Sequence, residues 1–219
     1  LENKLWTPIG LNADNSKKFY GTFEGVALTK ADTYPVIRNL YVETSPGYTA
    51  AGFFGALNGT AKNFGIENAT IKHISTGDPT DNGIAVVAGS IYTSGSIEDV
   101  TVKNAVVRGN RYVGGIAGFV YGNVKNCTVE GIDIVVTPNE YNGGYDNGDK
   151  AGAIVGYFCD ESKFELSGNK VADFTIQAYR DLGGVVGCAN NGAYVKSNSA
   201  KNGKLIVDQK TNSYGEKNV

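Results

Sequence analysis

The feature that most constrains this chain is a short glycine-containing run that keeps returning. AAGFFG, AVVAG, VGGIAG, AGAIVG and LGGVVG end on Gly55, Gly89, Gly118, Gly156 and Gly187, which are separated by 34, 29, 38 and 31 residues. A period near thirty built from short β-rich pieces is the pattern of stacked units that touch only their neighbours, and uneven spacing hangs loops of different length along one edge. Helical repeats of similar period do not fit. The segments are rich in Val, Ile, Thr, Tyr and Gly and hold no sustained apolar spacing of three and four.

Three copies align closely enough to read a geometry. Asn63, Asp99 and Asn126 stand at matching positions after the anchor glycine. One and three residues on lie Phe64 and Ile66, Val100 and Val102, Cys127 and Val129; this alternation predicts a strand with one inward face. Six and eight residues on lie Ala69 and Ile71, Ala105 and Val107, Ile132 and Ile134, so the inward parity switches. A switch requires a bend, placed at the polar or glycine pairs Glu67-Asn68, Lys103-Asn104 and Glu130-Gly131. Each unit then turns a corner, with the glycine run as its third side, as in one coil of a parallel β-helix. Five or six coils stacked at ~4.8 Å would make a core roughly 25 Å long.

Composition sets the outer bounds. The chain has 219 residues, long enough for one good core, and its 30 glycines follow no triplet period, which excludes collagen. With 20 basic and 22 acidic residues there is no electrostatic case for nucleic acid or an anionic membrane. No stretch approaches the length needed to cross a bilayer, and no amino-terminal signal pattern is present. The absence of methionine is read as a processed chain or an excised fragment. Cys127, Cys159 and Cys188 cannot all pair internally. The last two fall two residues out of step, about 8 Å apart and beyond disulfide reach, so all three are read as thiols. No metal-ligand spacing occurs, and no cofactor is expected. The DNG triplets at Asp81 to Gly83 and Asp146 to Gly148 match neither the EF-hand loop nor a nonapeptide calcium repeat.

The opening residues read LWTPIG (Leu5 to Gly10), FYGTFEG (Phe19 to Gly25) and, after an inserted KADTYP, VIRNLYVE (Val36 to Glu43). Trp6, Pro8, Phe19 and Phe23 suit a cap over the first coil, whose end would otherwise present unpaired backbone groups. The series WxPIG, FxGTFxG, IxNLyV, then GGxxG runs with IxNCxV resembles bacterial cell-surface proteins carrying GLUG-type repeats, from Trp6 to about Val207. The DGNG usual in that family is EGVA here (Glu24 to Ala27), and the fourth and fifth repeats are degenerate. The resemblance implies a secreted or surface-displayed, right-handed single-stranded parallel β-helix. It implies a scaffold rather than an activity. The domain expectation is one unit over 1–219, with a cap and first coil at 1–42, repeat coils at 43–207 and a polar tail or cut end at 208–219.

The residues that could carry chemistry are few. His73 is the single histidine and has no nucleophile motif beside it, so a solvated or capping role is expected. Asp99 is the carboxylate in a repeat position, but its equivalents are Asn63 and Asn126, which favours an amide ladder satisfying backbone over a catalytic acid. The sequons at Asn58, Asn68 and Asn126 are read as incidental. The loops before the glycine runs are the more informative stretches, because they emerge along one edge. From them the candidate ligand-binding residues are Tyr48, Arg108, Arg111, Tyr141, Tyr145, Asp146, Tyr179 and Arg180. Tyrosine faces beside Arg, Asn and Asp suit sugar rings and equally a protein partner. The expected function is a non-catalytic adhesion or ligand-presenting module, monomeric and outside the cell or on a bacterial surface, binding a glycan or a host or partner protein. A carbohydrate-active enzyme and a passive spacer are the alternatives.

Overall fold

The structure, a computed structural model, describes residues 4–10, 16–27, 34–44, 48–73, 83–137, 140–141, 144–145, 148–159, 163–190 and 192–208. The chain is all-β, with no helix among the described residues. It visits three sheets in a fixed order, and each visit pairs in parallel with the visits before and after it. The twelve-stranded long sheet is built in layers. These are Thr22–Glu24 with Val36–Arg38 and Tyr41–Thr44; Thr60–Glu67 with Thr70–His73; Ser96–Gly109; Asn123–Lys125 with Thr128–Val136; Glu165–Ser167 with Lys170–Ala178; and Tyr194–Lys196 with Ser199–Val207. The second sheet stacks Ala50–Ala51, Gly83–Ala85, Arg111–Gly114, Asp149–Gly152 and Arg180–Gly183. The third stacks Phe54–Leu57, Ala88–Ile91, Ala117–Val120, Val155–Phe158 and Val186–Ala189. An antiparallel pair, Glu140–Tyr141 with Gly144–Tyr145, lies outside these sheets.

In-register pairing turns the alternation of the sequence into columns. Ala61, Ile97, Val124 and Leu166 form one inward column, Ile66, Val102, Val129 and Val171 a second, and Ile71, Val107, Ile134 and Ile176 a third, all buried. Outward columns alternate in charge: Glu24, Lys62, Glu98, Lys125 and, separately, Arg38, Glu67, Lys103, Glu130. Arg38 meets Glu67 at 3.0 Å, Lys103 meets Glu130 at 3.5 Å and Lys62 meets Glu24 at 3.3 Å. Each exposed pair adds little stability, but a slip of one layer would set like charges opposite each other.

The long sheet bends twice, and single residues make the bends. Asn39, Asn68, Asn104, Gly131, Asp173 and Asn202 all have φ between 52 and 68°, which puts a bend where the parity switch requires one. Asn63, Asp99, Asn126, Gly168 and Ser197 form another such column, with φ between 53 and 68°. One left-handed residue reverses the pleat, and Asn, Asp and Gly adopt that conformation at least cost. This corrects the expectation of an amide ladder at Asn63, Asp99 and Asn126. The buried amide ladder lies one residue further on, in later layers. Cys127 N–H donates to Asn169 Oδ1 (2.9 Å) and Asn169 N–H to Asn198 Oδ1 (3.0 Å). Asn169 Nδ2 donates to Val124 O (3.1 Å) and Asn198 Nδ2 to Leu166 O (2.9 Å).

The anchor glycines mark where the third sheet runs against the second. A Cβ on Gly118 would lie 2.2 Å from Ile84 N and 2.4 Å from Tyr112 O, both backbone atoms. At the opening of the chain, Trp6 stacks on Phe53 (5.0 Å, 11°) and its Nε1 donates to Phe53 O (3.0 Å). Phe23 meets Phe53, Phe54 and Phe64 edge-on, and Leu5, Ile9 and Phe19 form parallel bridges to Tyr41, Phe54 and Leu57. These aromatic rings cover the first full layer. His73 is also corrected. It is buried, with Nδ1 2.5 Å from Thr44 Oγ1, because it occupies an inward position of the Thr44, His73, Gly109, Val136 column. Burial holds its pKa down at about 4.

Candidate functional site

The second sheet stacks Arg111, Asp149 and Arg180 in register. The next positions along are Tyr112, Lys150 and Asp181, which share left-handed φ of 50, 59 and 56° and so form a third bend column. The carboxylate of Asp149 has no solvent exposure, yet three cations converge on it: Lys150 Nζ at 2.5 Å and Arg180 Nη2 at 3.2 Å, both hydrogen-bonded to Oδ2, and Arg111 Nε 3.4 Å from Oδ1, an ion pair that leaves both of those buried atoms without a hydrogen bond. Lys150 also reaches Asp181 at 3.6 Å. A buried carboxylate is tolerated only when paired, and here the pairing leaves three cations against two anions.

Beside these charges the third sheet carries an outward aromatic column. Phe119 pairs in register with Tyr157, and their rings stack at 5.2 Å and 8°. Tyr112 leans on both, at 5.0 Å and 5.3 Å, and Tyr121 flanks Phe119 at 5.2 Å. The Arg111 guanidinium lies 4.6 Å from the centre of the Tyr112 ring and Lys150 Nζ 5.7 Å from it. Asn190 Nδ2 donates to the Tyr157 hydroxyl. The column continues to Cys188, a half-buried thiol whose pKa burial pushes up. Cys127 is buried and pushed up to about 12 by desolvation, and Cys159 lies two residues beyond Tyr157; the three cysteines are thiols, not joined in a disulfide.

Of the residues singled out from the sequence, the structure brings together Arg111 and Arg180. Tyr48 is 37% exposed on a separate stretch of the edge. Arg108 is not on a loop: it is the last residue but one of the strand Ser96–Gly109 and forms an ion pair with Asp133 at 2.5 Å. Tyr179 is buried at 1% exposure and offers no ring face, which removes it as a ligand contact; the chain turns inward there because its N–H donates to Gly148 O at 2.7 Å. Tyr141 and Tyr145 stand in the antiparallel pair, and Asp146 and Asp81 lie outside the described residues. Lys150, Phe119 and Tyr157 were missed. Their signal was available, since Arg111, Asp149 and Arg180 each precede an anchor glycine, Gly118, Gly156 and Gly187, by the same seven residues.

A concavity of about 340 Å³ lies on the outer face of the long sheet, away from these residues, lined by Tyr34, Val36, Gly65, Glu67, Thr101 and Lys103. Gly65 opens its floor by lacking a side chain between Val36 and Thr101. Its carboxylate and its ammonium are each engaged elsewhere, Glu67 with Arg38 and Lys103 with Glu130. Among the described residues no group of His, Cys, Asp and Glu is disposed to hold a metal ion. Among the described residues no helix is long and apolar enough to cross a membrane.

These columns define the class: an all-β repeat protein of parallel sheets. Residues 109–135, which include Arg111, Tyr112 and Phe119, match the family model described as the GLUG motif. No curated protein and no solved structure matches the chain.

Proposed function

We propose that the chain is a right-handed, single-stranded parallel β-helix of five to six coils, displayed outside a bacterial cell, that works as a non-catalytic adhesion or ligand-presenting module. The observation that carries this reading is the juxtaposition at Asp149. The half-buried Tyr157, stacked on the buried Phe119, adjoins the donors of Arg111, Lys150 and Arg180, which converge on one buried carboxylate. A partly exposed tyrosine ring beside guanidinium and ammonium donors suits a sugar, which offers an apolar face and a hydroxyl edge. The non-catalytic reading is supported by Asp99, which serves as a bend residue, and by Glu67, whose carboxylate is tied to Arg38.

The test is a glycan array probed with the chain and with the Tyr157→Ala and Arg180→Ala variants, each checked for an unchanged thermal melt. Specific binding that falls at least about tenfold in both variants supports the assignment. Binding that survives both variants moves the contact elsewhere on the edge. A blank array refutes the glycan reading, and release of new reducing ends from a bound polysaccharide refutes the non-catalytic one.

A further inference from the structure

The charge cluster around Asp149 does not balance, and one of its cations is left with donors to offer. Arg111, Lys150 and Arg180 face only Asp149 and Asp181. Asp149 is fully buried, and its Oδ2 already accepts from Lys150 and Arg180. Arg111 stands differently. Its strand, Arg111–Gly114, has a neighbour on each side in the second sheet, so its surroundings are those of an interior layer. The guanidinium lies 4.6 Å from the centre of the Tyr112 ring, which holds its plane, and its side chain keeps 26% exposure. Among the described residues it makes no hydrogen bond: Nε sits buried, 3.4 Å from Asp149 Oδ1, and the Nη groups have no acceptor. Tyr157 leans on the other neighbour of that guanidinium, its ring 5.3 Å from the ring of Tyr112. Arg111 and Tyr157 therefore flank one tyrosine, a span that one or two sugar residues cover.

We infer that the site selects acidic glycans: the sugar ring rests on Tyr157, and a carboxylate borne on that sugar or its neighbour takes the open edge of the Arg111 guanidinium. This rests on the glycan reading above and names the class of sugar. A guanidinium presents paired N–H donors in a fixed plane, and a planar carboxylate accepts two of them at once. A neutral sugar would satisfy those donors with hydroxyls but leave the third positive charge without a counterpart, whereas one carboxylate brings the cluster to three charges of each sign. The protein as a whole gives acidic ligands no general attraction, because its formal charge is -2. A preference for them has to arise at a local site, and here the cations are set beside an aromatic ring. An acidic peptide offers the same carboxylate without a ring to lay on Tyr157, so it fits less of the site.

The test uses the full chain and matched saccharides: oligogalacturonate, hyaluronan fragments and sialyllactose, each beside the same saccharide with its carboxylates reduced to primary alcohols. Polyglutamate and dextran sulfate serve as charged probes of other kinds. In calorimetry the carboxylated member of at least one pair should bind at least about tenfold tighter than its reduced partner, and less tightly as salt is raised. Arg111→Gln, with an unchanged melt, should bring the two members of that pair to within about twofold of each other. Arg111→Lys keeps the charge but loses the two-point edge, so it should retain no more than about a threefold preference. Equal binding within every pair overturns the acidic assignment while leaving the glycan reading in place; binding of no saccharide overturns both. A preference that survives Arg111→Gln, or that polyglutamate or dextran sulfate matches, also overturns the assignment, because charge alone would then account for it.

Discussion

Replacing Asn169 by Ala tests whether the buried amide ladder holds the later layers together. The side chain accepts from Cys127 N–H and donates to Val124 O and Asn198 Oδ1, all in the interior. Truncation leaves a buried N–H and a buried carbonyl without partners, at about 1–3 kcal/mol each, so a loss of roughly 3 kcal/mol is expected. In a chain of this length that lowers the melting temperature by about 6–12 °C. Asn198→Ala is the internal comparison. It removes an equivalent amide, from Leu166 O and Asn169 N–H, but in the open last layer, where water can replace the lost partners; about 1 kcal/mol is expected. Urea unfolding followed by circular dichroism measures both. If Asn169→Ala costs no more than Asn198→Ala, burial of the ladder is not what stabilises this region.

Two further perturbations probe the interior. His73 titrates at about 4 in the fold and near 6.5 when unfolded, so the unfolded chain binds the extra proton between those values. Its contribution is complete above pH 6.5 and is lost as pH falls toward 4, a change of roughly 3 kcal/mol; urea midpoints of the wild type and of His73→Asn should therefore converge across that window. An unchanged gap would show that His73 is protonated in the fold. Gly118→Ala places a methyl 2.2 Å from Ile84 N and should destabilise by about 3 kcal/mol or more, whereas at Gly65 the nearest atom is a Val36 methyl at 3.2 Å and the cost should stay below about 1 kcal/mol. Similar melts for the two alanine variants would contradict close approach of the second and third sheets.

The repeat, its parity switch and most inward columns were legible because side-chain alternation along a strand is strict and burial keeps it so: Val100, Val102, Ala105 and Val107 read directly as core. The Asn ladder was misplaced by one residue. At Asn63, Asp99 and Asn126 the residue types are those favoured both by a left-handed bend and by an amide stack, and sequence does not separate the two. The true ladder sits in SGNK and SNSA, Ser167 to Lys170 and Ser197 to Ala200, where degenerate repeats hide the register. The third bend column was invisible for another reason. Tyr112 and Lys150 are not residues that announce positive φ, and only the stacking between layers holds them there. For the candidate site, Arg111 and Arg180 could be found one by one. Their convergence on Asp149 depends on a register that only the paired strands reveal.

The bend columns carry a consequence for how such a chain can change length. Between Ser96 and Gly109 every residue except the bend residues Asp99 and Asn104 has a register partner, and one inserted residue would turn Val100, Val102 or Val107 out of the interior. The corner before the second sheet behaves differently: residues 74–82 and 137–148 span it in two repeats, while Asn110 or Tyr179 alone spans it in others. Insertions and deletions drifting through this sequence should therefore collect at that corner. Loss or duplication of material elsewhere should come only as whole repeats, because a whole repeat is the smallest piece that leaves every column intact.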